Sequence, residues 1–295
     1  MEHLLSVAFD NLASFDGPKI KKGLRQIEGL LAQVCLSAHH DAAAAAAKKN
    51  KALNGRDDNN NNNNNKRKNN FSLSDLSDDA AFREFFKLQD GFQWNIATRL
   101  IQTLDKLYAK SDDGSLDLLM LSALDSLQGV LLLHPSSRNL FSRVQSMNLL
   151  LDLLEPINCP AIQSATLLVL VVALLETPRN TRTFEQLDGL LTVSSIFKSR
   201  STARDVKFKT MEFLYFYLMP ETPSVSRTNS PLQRSPTSNN KLGRPVRMHT
   251  DDVNDLSETL STDRKQRMLG EHLANVDDLV RDLQQYTPFV AAGGK

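Results

Sequence analysis

His134-Pro135-Ser136-Ser137-Arg138-Asn139-Leu140-Phe141 is echoed by Thr177-Pro178-Arg179-Asn180-Thr181-Arg182-Thr183-Phe184, 43 residues further along the chain. Pro135 aligns with Pro178, Phe141 with Phe184, Met147 with Leu190 and Leu154 with Phe197. Each copy sits between an apolar helix pattern and a leucine-rich stretch. A period in the forties is what HEAT and armadillo repeats leave in a sequence, because each helical unit buries its apolar face on its neighbours. The spacing predicts an all-α fold, an armadillo/HEAT-like helical-repeat solenoid with disordered inserts. Such a stack offers a surface for partners rather than a pocket for chemistry.

Working outward, Phe86-Lys87-Leu88-Gln89-Asp90-Gly91 resembles Phe184-Glu185-Gln186-Leu187-Asp188-Gly189 and reads as a third, more degenerate copy. Further toward the N-terminus, Leu4, Leu5, Ala8, Phe9 and Leu12 form one helical stripe. After the Asp16-Gly17-Pro18 turn, Ile20, Leu24, Ile27, Leu30, Leu31 and Val34 form a second. The alanine run Ala42–Ala47 and the asparagine run Asn59–Asn65 have almost nothing apolar to bury, so 40–70 reads as a disordered insert. The expected order is then solenoid helices over 1–39, this insert, repeats over 71–220, a Ser/Thr/Pro-rich linker over 221–255, and an amphipathic helix over 256–290. The stripe of that last helix is Met268, Leu269, His272, Leu273, Val276, Leu279, Val280 and Leu283, and it is expected to pack on the solenoid. Its target is the helix from Val206 to Met219, which is apolar nearly all round and must be covered on several sides.

Bulk properties narrow the function classes. Net charge is +1, which gives no global field toward nucleic acid or acidic lipid. The longest apolar run, Leu167 to Leu175, is about half a membrane span. The N-terminus has no basic region ahead of its apolar residues and meets Asp10 early, unlike a signal peptide. Cys35 and Cys159 match no metal or redox spacing, which fits a reducing compartment. A soluble intracellular protein is expected, with no nucleic-acid, membrane or small-molecule partner and no cofactor. No phosphate loop, zinc spacing, nucleophile elbow or kinase signature occurs. A cysteine phosphatase needs an arginine six residues after its thiolate, but those positions hold Asp41 and Ala165. His134 reads as a turn or cap residue, and the aromatic cluster at 208–217 as core.

Two polar features stand apart. Lys198, Arg200, Arg204, Lys207 and Lys209 gather near the end of the last repeat, as a solvated face or as a contact for an acidic partner segment. The linker carries Thr222-Pro223, Ser230-Pro231 and Ser235-Pro236, with Arg227 three residues before Ser230 and Arg247 three before Thr250. Ser230, Ser235 and Thr250 are candidate phosphorylation sites, where added charge beside arginine would act as a switch.

The segment Leu4-Leu5-Ser6-Val7-Ala8-Phe9-Asp10, the stretch from Phe86 to Leu104, the unit from Pro135 to Leu154 with its echo, and Leu269-Gly270-Glu271-His272-Leu273-Ala274-Asn275-Val276-Asp277-Asp278-Leu279-Val280 occur in that order. Together they resemble the fungal septation-initiation-network component called cell division control protein fourteen, a family distinct from the phosphatase of the same name. The resemblance implies a non-catalytic subunit that binds a Ste20-class (germinal-centre) protein kinase, in the cytoplasm and at the spindle pole body, in the cascade that triggers septum formation. In an armadillo stack the third helix of each unit lines the concave face. Here those helices are 116–133, 159–175 and 204–219, and Asp125, Gln128, Gln163, Lys207 and Glu212 are the candidate partner contacts. The alternatives are an armadillo-type peptide adaptor of another pathway and an enzyme with an unrecognised site.

Overall fold

The computed structural model describes residues 1–53, 79–110, 114–221, 259–274, 276–278 and 281, with side chains described to Leu36 in the first stretch. Helices and turns account for these residues, and no strand occurs among them. No single helix among them is long and apolar enough to cross a membrane. The chain forms two compact units, Met1–Ser137 and Arg138–Lys295.

The first unit is built from α1 (Glu2–Ala13), α2 (Gly17–Leu53), α3 (Ala80–Asp90), a 3-10 turn (Phe92–Trp94), α4 (Ile96–Tyr108) and α5 (Asp117–Leu133). The stripes read from the sequence are the buried faces: Leu5, Ala8, Phe9 and Leu12 on α1, and Ile20, Leu24, Ile27, Leu30, Leu31 and Val34 on α2. The two helices pack closely because position 23 is glycine, where a Cβ would stand 2.9 Å from the Ala8 carbonyl oxygen. Asp79 caps α3 by accepting from the Ala81 N–H at 2.7 Å, and Asn95 caps α4 by accepting from the Thr98 N–H at 2.8 Å. α5 packs on both α2 and α4.

α2 continues to Leu53, through the alanine run that the sequence reading assigns to a disordered insert. The physical reason is that alanine is the best helix former and here extends an existing helix, so no new nucleus is needed. Residues 54–70 of that insert lie outside the described residues.

A 3-10 segment, Pro135–Ser142, runs across the boundary between the units. The second unit then has α6 (Val144–Leu153), α7 (Pro160–Leu174), α8 (Pro178–Gln186), α9 (Gly189–Lys198), α10 (Arg204–Leu218) and α11 (Thr262–Gly270). Three helices predicted for the repeats, 116–133, 159–175 and 204–219, correspond to α5, α7 and α10 within one residue at each end. α10 is covered by α7, α9 and α11, as its all-round apolar character requires. At its centre Phe213 meets Phe184 edge-on, with ring centroids 5.5 Å apart.

The two turns of the echo share a backbone: His134 has φ −129° and ψ 83°, Thr177 φ −131° and ψ 77°. In each, the N–H three residues later donates back to that residue's carbonyl at 3.0 Å. Beyond the turns the two copies diverge, because 135–142 is 3-10 and 178–186 is α-helical. Phe141 and Phe184 are both fully buried, whereas Phe197 is half-buried against a fully buried Leu154. The third copy is out of register in its packing. Phe85, not Phe86, is the fully buried ring of α3, and Gly91 has no ring against it as Gly189 does.

Two boundaries at the C-terminal end differ from the sequence reading. Glu221, taken as the first linker residue, is pinned by ion pairs to Arg182 and Lys265. α11 stops at Gly270 and a turn comes next, although Leu269, Leu273 and Val276 of the expected stripe are buried. Leu279, Val280 and Leu283 lie outside the described residues.

Candidate functional site: a leucine-lined groove and a buried charge network

α5 carries two apolar faces. One, through Met120, Ala123, Leu124, Leu127 and Val130, is core. The other recurs at 118, 121, 122, 125, 126, 129, 132 and 133 and lines a groove of about 780 Å³, whose opposite wall is Glu28, Leu31, Ala32 and Cys35 of α2. Leu118 and Leu132 are 80% and 43% exposed. The groove lining also includes two carboxylates on exposed residues, Glu28 and Asp125. Partial burial, and then the negative charge of Glu28, hold the Asp125 carboxyl above the usual carboxylate range. Among the described residues neither has a salt-bridge partner. Burial likewise pushes the Cys35 thiol up, which suppresses the thiolate and its reactivity.

A second cluster has the outline of a catalytic triad. Asp90 Oδ1 is 2.9 Å from His134 Nε2, and His134 Nδ1 is 2.8 Å from Ser137 Oγ. Asn95 Nδ2 donates to the same hydroxyl at 2.9 Å. A nucleophile must meet its substrate, and here His134 is 1% and Ser137 3% exposed, with Phe86 edge-on to the imidazole at 4.5 Å. The histidine ties the end of α3 to the turn after α5, which is the turn role expected for it.

The second unit holds a feature that no motif announced. Arg182 Nη2 lies 2.6 Å from Glu221 and 3.0 Å from Glu185, and Lys265 Nζ lies 3.4 Å from Glu221. The Tyr217 hydroxyl donates to Glu185 at 2.7 Å, and Lys265 donates to the Met219 carbonyl at 2.9 Å while standing over the Tyr217 ring. The side chains of Glu185, Glu221 and Lys265 are 6%, 8% and 3% exposed. Burial dominates the acid–base behaviour: it raises the Glu185 carboxyl, lowers the Lys265 ammonium and, with the adjacent Glu185 carboxylate, drives the Tyr217 phenol far up. Two cations balance two anions, and each is costly to isolate.

The sign of the pH dependence comes from the raised Glu185 carboxyl. A folded-state pKa above the unfolded value contributes stability that is fully present below about pH 4.5 and lost as pH rises through the folded value. Glu185→Gln mimics the protonated side chain and lacks this dependence. Wild type should therefore gain on Glu185→Gln as pH falls from 7 toward 4.5, as read by urea titrations at each pH. A difference that is flat, or that moves against wild type, would show that the carboxylate is not desolvated.

Of the five predicted contacts, Asp125 and Gln128 belong to the first unit and Gln163, Lys207 and Glu212 to the second. Asp125 is on the groove wall, and Gln128 is half-buried three residues along the same helix. Gln163 is 6% exposed and donates to the carbonyls of Leu154 and Glu155 at 3.1 and 2.9 Å. It closes the α6–α7 turn and is not a surface contact. Lys207 is half-buried, and Glu212 is exposed and paired with Lys209 at 2.8 Å. Of the basic cluster, Lys198, Arg200 and Arg204 are exposed around the start of α10, where Arg204 stands over the Phe208 ring. Ser230, Ser235 and Thr250 lie outside the described residues. The network residues Arg182, Glu185 and Lys265 drew no notice in the sequence, since charged residues on amphipathic helices are read as solvated.

Comparison with known proteins adds what geometry does not contain. No solved structure matches the chain. The "Cell division control protein 14" of Schizosaccharomyces pombe is 28% identical over 298 residues, which cover 98% of this chain and 97% of that protein. A family model described as "Cell division control protein 14, SIN component" matches residues 1–289, and with nearly its whole length matched the chain belongs to this family of septation-initiation-network components.

Proposed function

We propose that this network component is a non-catalytic regulatory subunit that binds a Ste20-class protein kinase, in the cytoplasm and at the spindle pole body, and so promotes septum formation. The observation that carries the reading is the character of the accessible surface. Among the described residues it includes an open groove with leucines on its walls, suited to a protein segment. In the Asp90–His134–Ser137 cluster, by contrast, the histidine and the serine are buried. A preformed helical surface acts on a kinase through differential affinity, stabilising whichever arrangement it binds better.

The test is a phosphorylation assay with the purified chain alone, the kinase alone, and both together. The chain alone should show no turnover, and the pair should phosphorylate a generic substrate faster than the kinase alone. Loss of the kinase from spindle pole bodies when the chain is depleted would accompany this. Turnover by the chain without kinase, or a kinase whose rate and location ignore the chain, would overturn the proposal.

A further inference from the structure

The α2–α5 groove has an internal order that specifies what it takes. Its α5 wall runs from Leu118 to Leu133, a length of about 22 Å at the helical rise, or roughly four turns. Leucines stand at the two ends, 118 and 121 at one and 132 and 133 at the other. The middle is built of small residues, Ser122, Ser126 and Gly129, of which Ser126 is 6% exposed and Gly129 faces Leu31 of α2. Beside that middle stand Asp125 and, on the facing helix, Glu28. Two carboxylates in one largely apolar groove repel each other and gain most from a shared cation. Among the described residues no lysine or arginine forms an ion pair with either.

We infer that the groove is the docking site for an amphipathic helix of the kinase partner, one that places a single arginine or lysine between two apolar anchors. The anchors lie about two turns to either side of the cation, set by the distance from Asp125 to the leucine pairs. The cation sits between Asp125 and Glu28, and the anchors cover Leu118 and Leu132, which are otherwise left to water. An anionic membrane surface is disfavoured by the same two carboxylates. This inference rests on the kinase-binding reading and adds to it the place and the chemistry of the contact.

The experiment uses the full chain and the full-length germinal-centre-class kinase of the same organism. Hydrogen exchange of the wild-type chain should show new protection over 28–36 and 118–133 when the kinase is added. The double reversal Asp125→Lys with Glu28→Lys, and separately Leu118→Glu, should weaken kinase binding at least about tenfold. Leu118 is mostly exposed, so its substitution leaves the fold intact. If the wild-type chain binds the kinase with no protection in those segments, or the variants bind as tightly as wild type, the groove is the wrong surface while the kinase reading survives. If the wild-type chain does not bind the kinase, both fall together. Protection that arises with protein concentration alone would assign the groove to a second copy and would also overturn the inference.

Discussion

Arg182→Ala should destabilise the second unit by about 3–5 kcal/mol, the range for removing one partner of a buried ion pair. The guanidinium contacts Glu185 and Glu221 together, at 3.0 and 2.6 Å. Without it, two nearly inaccessible carboxylates keep Lys265 as the one cation of the network, and burial of Lys265 itself disfavours its charge. The damage should be directional. Glu221 accepts from the Leu260 N–H at 2.9 Å just before α11, and Lys265 is on α11 itself. Hydrogen exchange of α11 should therefore accelerate more than that of α7 or α10, as a local opening would produce. A loss below about 1 kcal/mol, or uniform acceleration, would show that the network does not hold α11.

Replacing the network as a whole should behave in the opposite way. Arg182→Met, Glu185→Leu, Glu221→Leu and Lys265→Met, with Tyr217→Phe so that no hydroxyl is orphaned, should leave stability near wild type or above it. The reason is that the desolvation burden disappears together with the attractions it opposes. The network then sets where α11 docks rather than how stable the unit is. A five-residue variant that loses as much as Arg182→Ala would contradict that division.

Gly189→Ala should cost about 3 kcal/mol, the upper end for overpacking. An added Cβ would fall on the edge of the Phe184 ring and stand 2.6 Å from the Phe184 carbonyl oxygen. The ring cannot retreat, being fully buried against Phe213. The backbone has little freedom either, since Asp188 just before it is held at φ 56°. Phe184→Ala alone should cost about 3–5 kcal/mol by leaving a cavity. In the double variant the new methyl enters the vacated space, so the losses should be less than additive by more than about 0.5 kcal/mol. Strict additivity in thermal or urea unfolding would show that the two residues do not compete for one volume.

The Phe184–Gly189 pair also shows how far the sequence can be read. The phenylalanine five residues before a glycine was visible as a pattern, and at 184–189 it is a packing relation. At 86–91 the same letters pack differently, because Phe85 takes the core position. Helix stripes in α1 and α2 were legible because burial on one side imposes a three-to-four spacing that no other arrangement produces. Among the candidate site residues Asp125 could be singled out as a carboxylate on an apolar helix. Nothing local distinguished it from Gln163, whose amide is consumed by two carbonyls of a neighbouring turn. The triad-like cluster was equally hidden, since Asp90 and Ser137 come together only when α3 and the turn after α5 pack.

Periodicity and the order of segments are properties of the linear chain, so the all-helical class, the boundaries of α5, α7 and α10, and the family are all written in it. Packing alone decides which apolar face of α5 is core and which is groove, since a helix apolar on two sides carries no mark of which side a neighbour will cover. Packing also makes Arg182, Glu185, Glu221 and Lys265 interior. A charge is inside or outside according to whether its counter-charge arrives with it, and here the counter-charges come from segments as far apart as α8 and α11.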